Sequence, residues 1–286
     1  MRDLREFIDA IEGHGQLERI TGAKEELEIG GISKIARRDG LETALLFEEI
    51  PNTRPGARIL TNAGETPLHV TLSLGHEPTS DIREALLAQK AHIAKTETRA
   101  VETVTDGPVL DNVQRGSDID LTEFAAPIWH TNDGGPYIGT GDVVVTESAD
   151  GEDRNAGTYR VQVHGPKKAT LNIRPGRDGD RHRQSYFDRD ESFPAVISLG
   201  HQPDLFMAAN QRFPAHVDEL EFVSAQRDQP LEVVEGGGER PPVPGTVGTG
   251  HRGPRSTRRR RDNRGSVRRV DGLLRGRGDP AAAVRD

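Results

Sequence analysis

The chain has 286 residues, a formal charge of −8 and no cysteine. Disulfide frameworks, thiol nucleophiles and cysteine-based zinc sites are therefore excluded, and no apolar run is long enough to span a bilayer. The opening MRDLREFIDAIE lacks the apolar core of a secretory signal, so a cytoplasmic protein is expected.

Asp3 is placed to cap a first helix, with Glu6 completing a capping box. Leu4, Phe7, Ile8 and Ile11 follow at helical spacing, and Gly13 and Gly15 end the pattern. ALLFEEI (44–50) and ARILTN (57–62) read as strands on either side of the turn-rich PNTRPG, and DIREALLAQKAHIA (81–94) reads as a helix. Residues 1–105 thus predict a small α/β domain.

The next stretch is richer in strands. GDVVVTES (141–148) precedes TYRVQVHG (158–165), which alternates with Tyr159, Val161 and Val163 on one face. GPKK turns the chain, and ATLNIRP (169–175) returns with Leu171 and Ile173 on one side. The pattern predicts an antiparallel hairpin with an apolar back and a polar front carrying Arg160 and Arg174. FPAVISLG (193–200) reads as a buried strand and DLFMAANQ (204–211) as a short helix. After Glu235 periodicity gives way to Gly, Pro and Arg. No internal repeat is visible.

Charge divides the chain at the same place. Residues 236–286 hold 13 Arg against 5 acidic residues, a net of +8. Residues 1–235 hold 25 basic against 41 acidic residues, a net of −16. An acidic, lysine-poor surface suits either a salt-adapted cytoplasm or an ordinary acidic enzyme. The Arg-rich tail could contact a phosphate backbone, but it lacks interleaved aromatic residues and the acidic body would repel nucleic acid, so none is expected.

Several residues have the chemistry of a site. The amide oxygen of Asn155 suits a hard cation, but an Asn at this spacing more often caps a turn. Arg160 and Arg174 on one polar face form an anion platform or a solvated sheet face. Glu219 in VDELEF is a ligand or a helix-surface acid, and His182 in GDRHRQ is a metal ligand or an exposed histidine. The glycine-rich DGGPYIGTG (133–141) is neither a Walker loop nor a dinucleotide fingerprint. Residue chemistry alone stops at an anion-and-cation site on an antiparallel sheet.

The order of these segments resembles the UbiD family of decarboxylases. DLREFIDAIEGHGQLERI, ELEIGGISKIARR and ALLFEEI are similar to the family's N-terminal domain. PIWHTNDGGPYIGTG, RNAGTYRVQVHGPKKATLNIRPGRDGDRH and ISLGHQPDLFMAAN are similar to its flavin-binding domain. The resemblance implies an α+β fold: the N-terminal α/β domain (1–105), a partial central domain resembling a split β-barrel (106–235) and a disordered tail (236–286). It implies prenylated FMN, with Thr158, Tyr159 and Arg160 and then Arg174, Pro175 and Gly176 as the flavin-contacting stretches. Arg160 corresponds to the arginine that orients a substrate carboxylate. Asn155 and Glu219 match two metal ligands, for a divalent ion such as Mn2+ with K+ nearby. A third ligand, a histidine in relatives, falls near Asp178 on strict alignment and at His182 with a small gap. The implied reaction is reversible loss of CO2 from an aromatic or α,β-unsaturated acid, with a flavin prenyltransferase supplying the cofactor and a homo-oligomer as the family's assembly.

The family's acidic proton-donor segment, like EGPFGE, is not visible in this sequence. Read one base out of frame, the codons for Arg264–Gly276 are compatible with E-G-P-F-G-E-W-T-G-Y-Y-A-G, and those for Val247–Arg255 with S-E-L-V-I-E-G-H-V. Both resemble family segments in the right order. A lost reading frame near Gly236, followed by early termination, is therefore expected, with activity and assembly compromised. A non-catalytic flavin- or phosphate-binding remnant is the alternative.

Overall fold

The computed structural model describes residues 3–94, 98–139, 141–214, 217–227, 229–235 and 241–244. The Arg-rich segment 245–286 lies outside the described residues, as do residues 236–240.

The first helix, α1 (Leu4–Gly13), begins where expected, with the Asp3 carboxylate accepting from the Arg5 and Glu6 amides. Its buried side chains are Phe7, Ile8 and Ile11. Strands β1 (Leu17–Thr21) and β2 (Ala44–Glu48) pair in parallel, joined through helix α2 (Glu28–Arg38), and β3 (Ile59–Thr61) pairs antiparallel with β2. The apolar run of β2 follows from being covered on both faces. Ala44 packs with Phe7, Ile11, Leu68 and Leu72, while Leu45 and Phe47 pack with Ile29 and Ile50.

Thr66 caps α3 (Pro67–Ser73), whose proline occupies a position where no intrahelical donor is needed. Helix α4 (Ile82–Ala94) forms as the sequence predicts, but buries only Ala85 and His92. Ile82, Leu86 and Leu87 are 61%, 57% and 56% exposed, so this helix contributes little to the core.

The later unit is built on β6 (Val143–Glu147), which lies between β7 (Arg154–Gly157) and β10 (Ala195–Ser198) with antiparallel pairing on both sides. A second sheet has the order β5 (Tyr137–Gly139), β8 (Arg160–Val163), β9 (Ala169–Asn172). The hairpin of β8 and β9 has the expected faces: Val161, Val163, Leu171 and Ile173 are buried, and Arg160 and Arg174 are exposed. The valines of β6 alternate between two cores. Val144 joins Val161, Val163 and Leu171, whereas Val143 and Val145 meet Leu205 and Ala208 of α6 (Pro203–Ala209) and Leu220 and Phe222 of α7 (Glu219–Ala225). Strand β10 is half-buried over Ala195–Ile197 rather than fully buried as its sequence suggested, because it pairs only with β6 and forms the sheet's edge.

A third sheet joins distant parts of the chain. β4 (Glu102–Val104) runs parallel to β11 (Glu232–Val234), and β12 (Val243–Pro244) pairs antiparallel with β11. β4 thus belongs to the later unit although it precedes residue 105, and buried Val243 continues that unit past Glu235. The architecture is α+β with small sheets, and no closed barrel forms among the described residues.

The two units meet where the Leu27 amide donates to the Ile128 carbonyl and the Ile128 amide to the Glu25 carbonyl, around an isolated parallel bridge, Glu26 to Ile128. Gly30 permits this approach. A Cβ there would lie 2.2 Å from the Trp129 carbonyl oxygen.

Candidate functional site

Asn155 is neither in a turn nor at a cap. It sits within β7, opposite Thr146 of β6, and is 6% exposed. Its Nδ2 donates to Thr146 Oγ1 at 3.3 Å and to the Tyr159 hydroxyl at 3.4 Å. The Tyr159 hydroxyl in turn accepts from the Gly179 amide at 3.2 Å, in the first turn of α5 (Asp178–Phe187). Two glycines make room for this ring. A Cβ on Gly157 would lie 2.9 Å from Tyr159 Cε2, and one on Gly179 would lie 2.8 Å from its hydroxyl. RNAGTYR is thus a local packing unit: an inward amide, a glycine, and the tyrosine that needs both.

Glu219 opens α7 directly after its cap, Asp218, whose carboxylate accepts from the Leu220 amide. Glu219 is 8% exposed and its Oε2 accepts from the Ala156 amide at 2.8 Å. A free strand edge needs an acceptor for each outward N–H, and Glu219 supplies one to β7. Burial pushes the Glu219 carboxyl up to about 7; the Ala156 hydrogen bond opposes this, and the charges of Asp218 and Asp178 add to it. Burial likewise raises the Tyr159 phenol above its usual range. Arg154 is held by Asp218 at 2.8 Å and by Glu147 at 3.4 Å.

These groups border a cleft of about 700 Å³. One wall runs from Asp153 to Arg160, another from Asn172 through Gly176 and Asp178, and a third is the segment after α6 from Ala209 to Pro214. Gly176 turns the chain between β9 and α5 at φ +79°, and its amide donates to the Asp180 carboxylate. Thr158 donates to Asn210 at 3.2 Å, tying the first wall to the third. Six arginines face this space: Arg154, Arg160, Arg174, Arg177, Arg181 and Arg212. Arg154 and Arg181 are ion-paired, the latter with Asp153 and Asp178. Among the described residues, the guanidinium groups of Arg160, Arg174, Arg177 and Arg212 have no partner. Four free guanidinium groups around one concavity strongly favour an anionic occupant.

The structure therefore brings together Asn155, Thr158, Tyr159, Arg160, Arg174, Gly176 and Glu219 on one cleft. Pro175 falls between two lining residues without lining the cleft itself. His182 is buried, not an exposed histidine. It is 1% exposed, does not line the cleft, and both ring nitrogens are taken, Nδ1 by Thr146 Oγ1 at 3.0 Å and Nε2 by Asp153 Oδ2 at 3.1 Å. On that segment it is Asp178 that faces the cleft. Among the described residues, no group of three or more His, Asp or Glu side chains is arranged to hold a metal ion. The expected set includes Asn155, and Thr146 Oγ1 bonds both Asn155 Nδ2 and His182 Nδ1; the free arginines suit a phosphate-bearing cofactor. Sequence reasoning did not single out Arg177, Arg212 or Asn210. Only the adjacency of Arg177 to the RPG turn and of Arg212 to the α6 terminus could have pointed to them.

The arginine-lined cleft on this α+β scaffold suits an anionic occupant, and similarity to known proteins specifies the class. Residues 8–88 match the family model for the 3-octaprenyl-4-hydroxybenzoate carboxy-lyase N-terminal domain, and residues 101–248 match that for its Rift-related domain. The chain belongs to the UbiD family. It is 30% identical over 242 residues to the pyrrole-2-carboxylic acid decarboxylase of Pseudomonas aeruginosa, covering 81% of this chain and 48% of that protein. It is 29% identical over 238 residues to a phenolic acid decarboxylase of Streptomyces sp., covering 81% and 49%. Among solved structures it is similar to the closed form of vanillic acid decarboxylase from Sedimentibacter hydroxybenzoicus, with a TM-score of 0.75, 25% identity, and coverage of 82% of this chain and 50% of that one. It is also similar to an evolved dimeric form of the UbiD-class enzyme HmfF from Pelotomaculum thermopropionicum in complex with prFMN, with a TM-score of 0.72, 27% identity, and coverage of 82% and 53%. The chain spans about half the length of the curated relatives it matches.

Proposed function

We propose that the arginine-lined cleft is a prenylated-FMN site and that the chain derives from a carboxy-lyase acting on an aromatic or α,β-unsaturated acid. The observation that carries this reading is the set of four unpartnered guanidinium groups beside the RNAGTYR strand. When bound, such a flavin supplies the electron sink for loss of CO2.

The chain's own residues have simpler tasks. Arg174, Arg177 and Arg212 neutralise a phosphate, for which forked guanidinium donors are well suited. Arg160 orients the substrate carboxylate. Tyr159, fixed by Gly179 and Asn155, holds the floor of the cleft, and Thr158 with Asn210 fixes one rim. Asn155 and Glu219 present oxygen donors suited to a hard divalent ion. His182 is linked to Asn155 by hydrogen bonds through Thr146, and no step is assigned to a metal.

The tail belongs to the same reading. The change of reading frame falls between Gly236, as the sequence suggested, and Val247, where the shifted reading begins, and the pairing of Val243–Pro244 with β11 favours the later part of that interval. The shifted readings of Val247–Arg255 and Arg264–Gly276 are its basis. A chain carrying RGSVRR in place of the acidic segment lacks that proton donor, so turnover is impaired. DNA sequencing across the codons for residues 236–250 tests the frame, and an uninterrupted frame relative to intact relatives contradicts it. Co-expression with a flavin prenyltransferase, followed by CO2 release from a panel of aromatic acids, tests the function. The expected result is bound flavin with little turnover, and restoration of turnover in the frame-repaired chain. Absence of flavin from both proteins would refute the reading.

A further inference from the structure

A second hollow, of about 860 Å³, lies between the N-terminal unit and the later unit and shares no lining residue with the cleft. Its walls include Phe7, Trp129, Phe206 and Met207. The last three are only half-buried, so large apolar surfaces face open space.

The charges at this hollow are one-sided. Residues 1–235 carry 41 acidic side chains, yet none lines the cavity, whereas Lys34 and Arg37 do. These two stand three residues apart on α2 and so share a face. Arg37 reaches Glu65 at 3.3 Å, and among the described residues Lys34 has no partner. Apolar pockets at domain interfaces with a few polar groups at one end are typical small-molecule sites. Ser33, Thr61, Asn62 and Ser73 on these walls are already bonded within the chain, so a nucleotide or an inorganic anion would find few free donors, and a neutral hydrocarbon would leave Lys34 unused.

We infer that this cavity binds an amphiphilic organic monoanion, with its alkyl or aryl body against Trp129 and Phe206 and its carboxylate at Lys34 and Arg37. The inference is independent of the flavin reading, because it concerns different residues and a different ligand.

Trp129 is the chain's single tryptophan and lines the cavity, so its emission reports occupancy directly. The full chain is titrated with octanoate and, separately, with 1-octanol. A saturable change with octanoate is expected, with octanol binding about threefold to fivefold more weakly, the effect of one partly exposed charge pair. Lys34→Gln, at an exposed position, is expected to weaken octanoate by a similar factor and leave octanol unchanged. Phe206→Ala is expected to weaken both ligands. Arg160→Gln, in the other cleft, is expected to leave both titrations as in the parent. No saturable response to octanoate overturns the proposal. So does equal affinity for octanoate and octanol, or loss of the response in Arg160→Gln.

Discussion

The two hollows are similar in size and opposite in character, and the difference comes from the elements that border them. The cleft is edged by β7, an outer strand whose free backbone and inward amide demand polar partners, and Glu219, Tyr159 and Thr146 meet that demand. The cavity is edged by the buried faces of helices α1, α2 and α6, which leave rings and methylenes where they fail to close on one another. Arginines gather at the first because turns and helix ends project them there. Only α2 brings charge to the second.

The comparison breaks most readily at Gly30. Adding a methyl group there meets the Trp129 carbonyl, a backbone atom that cannot move aside cheaply, so Gly30→Ala is expected to lose about 3 kcal/mol in urea unfolding. It would also deform the apolar cavity, whereas flavin binding by the remaining folded fraction should persist. Glu219→Ala attacks the other region. It leaves the buried Ala156 amide unsatisfied, an expected loss of about 2 kcal/mol by the same assay. Here flavin retention should fall together with stability.

A smaller effect sharpens the electrostatics between the regions. Asp142 is 1% exposed, and neither carboxylate oxygen has a partner among the described residues. Burial raises its pKa from 3.8 to about 7. The folded state therefore binds more protons than the unfolded one across that interval, so this group's contribution to stability declines as pH rises through 7. Asp142→Asn removes the ionisation. Relative to the parent, its melting temperature should be higher at pH 8 than at pH 5, with a pH-dependent difference of about 1–2 kcal/mol. An identical offset at both pH values would show that Asp142 is not ionising in a buried site.

Much of this was readable from residue order because period and burial agree. The 3.6-residue spacing of Phe7, Ile8 and Ile11 and the two-residue alternation of Val161 and Val163 each fix an element and its inner face. The outward placement of Arg160 and Arg174 was legible for the same reason, on the polar face of a hairpin. Other features depend on contacts between distant segments. His182 sits among charged neighbours in sequence, yet α5 turns it inward onto Thr146 and Asp153. Asn155 looked like a turn residue, and only its pairing with Thr146 in β6 places it in a strand. Strands β4, β11 and β12 are two or three residues long, too short for any periodic signal, and their sheet joins residues more than a hundred positions apart. Helix α4 was legible as a helix, but its sequence did not show that Ile82, Leu86 and Leu87 would stay exposed.

The central claim is that the free guanidinium groups of Arg174, Arg177 and Arg212 make the cleft a site for a flavin phosphate. It is tested most directly by titrating the purified chain with FMN and with riboflavin, which differ only in that phosphate, following flavin fluorescence. The account predicts that FMN binds at least tenfold more tightly, a difference of about 1.4 kcal/mol or more, and that Arg174→Gln reduces the difference. Equal affinity for FMN and riboflavin, or an FMN affinity unchanged in Arg174→Gln, would contradict it.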